Sequence, residues 1–288
     1  MSNDSLKRKQ YFRLMLFPVV LSVMFLYSCV KEVKNIKLPP SDPKLVVGCF
    51  ISPQDTLIAL TLKRSSPLFG SGNGSSQHEP VTGASVIISG NAGSVQLNYN
   101  SKRKQYEASK KTFPISGGET YNLTISTPQG EKVSATCQVP PSNISSLTID
   151  FADTLSASKI IMVKWQDIPG QSNQYVVYAQ TEEFDAKNED TLYVKMTSDE
   201  PTQRDTQKDG MELSSRLERG RFNDEQHVIS YTIHILNVDV NYFLYKRSLD
   251  NYKGDDPFSE PSLMYTNIKG GIGIFAAYQK YSVWEKVK

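Results

Sequence analysis

Histidine and cysteine are scarce in this chain, with three of each in 288 residues. His78, His227 and His234 stand in no Cys/His or His/Glu spacing that would build a zinc centre. A Gly-x-Ser-x-Gly nucleophile elbow is also missing, so nothing points to a serine hydrolase of that type. The one glycine-rich run, Gly70-Ser71-Gly72-Asn73-Gly74-Ser75-Ser76, lacks the Gly-Lys-Ser/Thr ending of a phosphate loop and reads as a plain loop. The acidic group Asp250, Asp255, Asp256, with Asn251 and Gly254, lacks EF-hand spacing and reads as a solvated turn. No period of about 20 to 50 residues repeats along the chain. These absences predict no catalytic residue, no metal site and no cofactor. Triads and carboxylate pairs assembled from distant positions leave no mark in a single sequence, so a hydrolase of envelope glycans or peptides stays open as the alternative.

Long apolar runs are missing as well, apart from one near the N-terminus. Lys7, Arg8, Lys9 and Arg13 precede an apolar stretch from Leu14 to Leu26, which is the n-region and h-region order of a secretion signal. A membrane span needs about 20 apolar residues, and this stretch ends sooner, at Ser28 and Cys29. Leu26-Tyr27-Ser28-Cys29 resembles the bacterial lipobox. Cleavage after residue 28 would make Cys29 the first, acylated residue, and each buried lipid CH₂ contributes about 0.8 kcal/mol to membrane attachment. The competing reading is an uncleaved signal anchor with an incidental cysteine.

Losing the signal changes the electrostatics. The full chain carries net +2, but residues 1–28 hold four Lys/Arg and one Asp, leaving 28 basic and 29 acidic residues. The mature chain is therefore close to neutral, which removes the main support for nucleic acid as a partner.

What is present is mostly β. Residues 29–43, with Pro39, Pro40 and Pro43, have no periodic apolar pattern and read as a lipidated tether. Short runs then alternate branched and aromatic residues: 44–52, 57–62, 84–89, 94–99, 105–108, 121–126 and 132–139, punctuated by Gly, Pro, Asn and Ser. Such spacing predicts an immunoglobulin-like β-sandwich over 44–140. Pro140-Pro141-Ser142-Asn143 mark a boundary, and a second β-rich domain is expected over 144–288, with strands at 146–151, 159–166 and 174–181 and Trp165 facing inward. Residues 182–226 read as a polar, partly disordered insertion. One short helix is expected from an Asp239 cap to Gly254, its aromatic stripe of Tyr242, Phe243, Tyr245 and Tyr252 serving as core packing, followed by two closing strands at 272–277 and 281–287. His234 reads as a core residue. Gly270, Gly271 and Gly273 read as structural, for positive φ or close backbone approach.

Two covalent features follow from the residues. Cys49 and Cys137 fall in strands of the first domain, and an oxidising envelope allows either a disulfide or two buried thiols. Asp-Thr-Leu occurs at 55–57, 153–155 and 190–192 and is similar to the O-glycosylation acceptor of Bacteroidota envelope proteins, which nominates Thr56, Thr154 and Thr191.

The lipobox, the proline-containing tether, Lys44-Leu45-Val46-Val47-Gly48, Val81-Thr82-Gly83-Ala84-Ser85-Val86, Tyr121-Asn122-Leu123, Pro257-Phe258-Ser259-Glu260-Pro261 and Asn267-Ile268-Lys269-Gly270-Gly271-Ile272-Gly273-Ile274-Phe275 together resemble the Bacteroidota outer-membrane lipoproteins grouped as domain-of-unknown-function family 4249. The last two segments are the most specific part. Gly48-Cys49 departs from the Glu-Gly-Trp type of sequence usual after the first strand. The resemblance implies an outer-membrane lipoprotein encoded beside TonB-dependent transporters of the starch-utilisation type, and no known reaction. The expected function is non-enzymatic capture of a glycan or peptide ligand, or an accessory role beside such a transporter. Val30-Lys31-Glu32-Val33-Lys34 offers one acidic residue after the cysteine, which leaves the periplasmic and cell-surface faces both open. Exposed aromatics on one face would favour capture, whereas pocket-facing acids with a histidine would favour the hydrolase.

Overall fold

Alternation of buried and exposed residues organises the N-terminal half. In the computed structural model, which describes residues 43–65, 79–152, 159–220, 226–252 and 263–287, β1 (Leu45–Ile51) turns Leu45, Val47, Cys49 and Ile51 inward. The signal segment, Cys29 and most of the tether, the glycine-rich run, His78, Thr154, Gly254-Asp255-Asp256 and Pro257 to Pro261 lie outside the described residues. The same period of two recurs in β2 (Leu57–Arg64), β3 (Ser85–Gly90), β5 (Gln105–Ser109), β6 (Thr120–Ser126) and β7 (Lys132–Gln138). One layer pairs β1, β2 and β5, and the facing layer pairs β3, β6 and β7. β4 (Gly93–Asn100) joins both, its first part on β3 and its last residues on β5. Leu60, Val86, Ile88, Tyr121 and Leu123 are fully buried between the layers, each such side chain contributing about 1.5–3 kcal/mol.

This first sandwich does not close on its own residues. The two closing strands expected near the C-terminus are one strand, β15 (Ile272–Lys286), whose first half runs parallel to β1, pairing Val46 with Ile272 through Ile51 with Ala277. Phe275, Ala277 and Ile268 join the first core. The boundary at residues 140–143 therefore separates two stretches of sequence, while the C-terminal strand returns across it. Gly273 explains how β15 comes so close: it has φ of 113°, and a Cβ there would lie 1.9 Å from the Val47 carbonyl oxygen. Gly270, at φ of 81°, is also close against backbone: a Cβ there would run into the Lys132 carbonyl oxygen. Asn267 completes the attachment, donating from Nδ2 to the Phe275 carbonyl (2.7 Å) and accepting from the Phe275 N–H (3.0 Å).

The second half of β15 lies antiparallel to β14 (Gln226–Val238) in the second sandwich. That layer continues into β10 (Gln174–Asp185) and β11 (Asp190–Ser198), with β12 (Thr202–Arg204) pairing the start of β10. The facing layer is β8 (Leu147–Ala152), β9 (Lys159–Gln166) and β13 (Glu212–Arg219). Trp165 is buried against Tyr175 in the core between them, as its strand position predicts.

The described residues of the segment expected to be a partly disordered insertion, 182–220 and 226, are thus largely strand. Their inward positions escape a hydropathy reading because several are polar and paired. Glu183 is fully buried, receiving Arg219 Nε (2.6 Å) and Nη2 (3.0 Å), and Ser215 meets Ser198 at 2.8 Å. Bidentate pairing of this kind satisfies a carboxylate that would otherwise be costly to bury.

The expected helix is α1 (Val240–Asp250). Asp239 caps it by accepting the Tyr242 N–H at 2.8 Å, and it ends at Asp250 with Asn251 as its cap, before the expected Gly254. Phe243 packs with Val176, Leu236 and Val238, while Tyr242 and Tyr245 pack on Phe50 of the first sandwich. No helix among the described residues is long and apolar enough to cross a membrane.

Gly273→Ala should destabilise the protein by about 3 kcal/mol or more in urea titration, because a backbone atom already fills the Cβ position. Gly93→Ala, with the same φ but nothing within 4 Å, should cost about 1–2 kcal/mol.

Candidate functional site

A two-layer sandwich needs one face of each sheet buried, and the other face is ordinarily polar. The outward face of β15, β14, β10 and β11 departs from this. Register places Trp284, Thr232, Gln180 and Lys195 in one row and Ser282, His234 and Tyr178 in the next. On the other side stand Lys286, Ser230, Glu182 and Tyr193, then His227, Phe184 and Thr191. Trp284 is 59% exposed, Tyr193 67%, and Tyr178 and Phe184 each 40%, so four large rings face solvent on one sheet. The His234 ring stacks on Tyr178 with centroids 4.6 Å apart. Across the strands Trp284 is its diagonal neighbour, about 7–8 Å away by backbone spacing.

Between these aromatic borders lies a polar floor. His234 Nδ1 meets Ser282 Oγ at 2.7 Å, and Ser230 Oγ donates to Glu182 Oε2 at 2.8 Å. Burial, with the positive charge of Lys280, holds the His234 imidazole below its ordinary pKa, so it is neutral at physiological pH. His234 is therefore a half-buried member of this face, not the core residue its apolar sequence context predicts. Its neighbours on the strand, Ile233 and Ile235, point into the core, and alternation turns His234 the other way.

Beside α1, a cavity of about 530 Å³ lies between β12 and the helix, lined in part by Arg204, Lys208, Phe243 and Arg247. The Arg204 guanidinium carbon stands 4.3 Å from the Phe243 ring centroid and that of Arg247 5.7 Å. Cation–π contacts hold both planes against one ring. Nearby, Tyr278 donates its hydroxyl to Asp55 Oδ2 at 2.5 Å and Lys280 lies 3.4 Å from Oδ1, which ties the second sandwich to the first.

The structure also gathers three carboxylates that sequence spacing did not connect. Oxygens of Asp167, Asp205 and Asp209 lie within 4.8 Å of one another, from the β9–β10 and β12–β13 loops. Asp167 accepts from Tyr175 Oη (2.7 Å) and the Gly210 N–H (2.8 Å), Asp205 from the Asn173 N–H (2.7 Å), and Asp209 from the Gly170 N–H (2.8 Å). These bonds make the trio a clasp between the loops. Its oxygens are of the kind a hard divalent cation takes. Asp205-Thr206-Gln207-Lys208-Asp209-Gly210 was the available signal, but its third carboxylate comes from a distant loop.

Of the residues nominated from sequence, Cys49 and Cys137 are buried free thiols, and desolvation pushes Cys49 up to about 12. Thr56 and Thr191 are exposed, Thr191 beside Phe184 on the ring-lined face. His227 is exposed on the same face. Asp250 lies on α1, paired to Lys246.

The sequence matches the family described as domain of unknown function, DUF4249, over residues 31–283. The chain belongs to DUF4249. No curated relative matches it. Among solved structures, a two-domain fibronectin type III segment of chicken tenascin aligns with 69% of this DUF4249 chain and 90% of its own length, at 13% identity and a TM-score of 0.20. The sandwich architecture of the DUF4249 chain rests on the strand pairing above, not on that overlap.

Asp239 gives a pH test of how α1 is held. Burial raises its carboxyl to about 6, above the value of an unfolded chain, so the folded state binds a proton more tightly and loses stability as pH rises from about 4 to about 6. Asp239→Asn keeps a capping side chain and removes that loss. Relative to the wild type, it should gain on the order of 2 kcal/mol between pH 4 and pH 7 in urea titrations.

Proposed function

We propose that this protein is a lipid-anchored outer-membrane accessory that captures a saccharide on its ring-lined sheet face and presents it to a TonB-dependent transporter. The observation that carries this reading is the exposure of Trp284, Tyr178, Tyr193 and Phe184 around a floor of amide, hydroxyl and charged groups. Sugars offer C–H faces to aromatic rings and hydroxyls to such a floor, and exposed aromatic patches of this kind mark binding surfaces. Anchoring through acylated Cys29 would hold the face at the membrane, and the family resemblance supplies the transporter.

The hydrolase alternative draws less support. His234 touches Ser282 through Nδ1, the nitrogen that an orienting carboxylate occupies in a Ser-His-Asp set. Its other ring nitrogen has no partner among the described residues.

Affinity electrophoresis of the mature lipoprotein in gels cast with soluble plant, microbial and host polysaccharides tests capture. At least one glycan should retard the wild type, and Trp284→Ala and Tyr178→Ala should abolish the retardation. Phe151→Ala, which removes an exposed ring from the other layer, should leave it intact. Absence of retardation by every glycan, or an undiminished shift with Trp284→Ala, contradicts the reading. Recovery of a TonB-dependent transporter with the tagged lipoprotein from detergent-solubilised membranes tests the second half of it.

A further inference from the structure

The cavity between β12 and α1 brings Arg204, Lys208 and Arg247 together with Asp199, Glu200 and Asp250. Arg204 and Arg247 both stand against the Phe243 ring, so their guanidinium carbons are no farther apart than the sum of their distances to it. Among the described residues neither guanidinium meets a carboxylate. The acids lining the same space are largely engaged. Asp250 is paired with Lys246, and Asp199 accepts the N–H groups of Glu200 and Arg216 at 2.8 and 3.1 Å. Glu200 and Lys208 line the same cavity. Both arginines are solvent-exposed, so their mutual repulsion is screened, and a carboxylate placed between them gains charge pairing with each. A guanidinium edge offers paired donors that match the two oxygens of a carboxylate in one plane. At about 530 Å³ the cavity is also within the size range of small-ligand sites, about 300–1,000 Å³.

We infer that this cavity takes the carboxylate of an acidic saccharide, gripped by Arg204 and Arg247. The saccharide part of the inference rests on the reading of the ring-lined face given above, whose strand β10 is joined to the cavity wall through β12. Thr202, on the cavity wall, pairs with Val176, two residues from Tyr178 on the same face of β10. A chain lying across Tyr178 and His234 can place one acidic unit between the arginines. Nothing in the sequence pattern flags this site, since the two arginines belong to separate elements and meet only through Phe243.

Isothermal titration of the mature lipoprotein with trigalacturonate and with galactotriose, its neutral counterpart, tests the inference. The acidic trisaccharide should bind at least tenfold more tightly. Arg204→Gln/Arg247→Gln should erase that preference while leaving the neutral affinity and the melting temperature near wild type. Arg247→Gln alone, at an exposed helix position, should erode it partially and serves if the double variant does not fold. Trp284→Ala should weaken both ligands alike. Equal affinity for the two trisaccharides in the wild type overturns the arginine site and leaves the ring-lined face standing. Binding of neither overturns the arginine site and contradicts the face as a surface for these saccharides. A preference that survives in the double variant, or displacement of trigalacturonate by an equal concentration of inorganic phosphate, also overturns it.

Discussion

The position where Gly273 would carry a side chain is filled by the Val47 carbonyl oxygen, and most of the structure depends on that close approach. It sets β15 beside β1, which carries Phe275 and Ala277 into the first core. The strand then continues without a break into the second sandwich, where its remaining residues pair with β14. Neither half of the chain completes its sheet before the last residues arrive. Such a pairing between the start and the end of a chain has a large loop-closure cost, which only the cores it completes can offset.

The same strand links scaffold to surface. Its first half is buried on both faces, as expected of parallel pairing with cover on either side. Its second half displays Ser282 and Trp284 on the open face, directly across from His234 and Thr232. The ring-lined face is therefore held by a strand anchored in both cores. α1 is capped by Asp239 and packed on Phe50 through Tyr242 and Tyr245, so its cavity is fixed relative to both halves. A rigid platform suits capture, because little ordering cost falls on the protein side.

Much of the architecture was legible in residue pattern. The seven strands of the first sandwich follow from alternation, the Asp239 cap from its position before the aromatic stripe, and the glycine roles from their setting in apolar strands. Other features were hidden for identifiable reasons. Residues 182–226 read as an insertion because Glu183, Ser198 and Ser215 are inward polar groups whose partners lie on distant strands. β15 read as two strands of one domain because nothing local records that its halves join different cores. The ring-lined face was invisible because Tyr178, Tyr193, Phe184 and Trp284 come from three strands, and only register brings them to one surface. The most specific family segment, Asn267 to Phe275, turns out to be the attachment of the C-terminal strand, with Asn267 clamping Phe275 and Gly270 and Gly273 admitting the backbone of the first sandwich.

Native-state hydrogen exchange at increasing urea measures the central claim, that one strand makes the two sandwiches a single cooperative body. The account predicts that amides in β1 and in β14 open with the same free energy and the same urea dependence, since unzipping β15 exposes both cores together. An opening of β1 and β2 at clearly lower free energy, with β10 and β14 still protected, would contradict it.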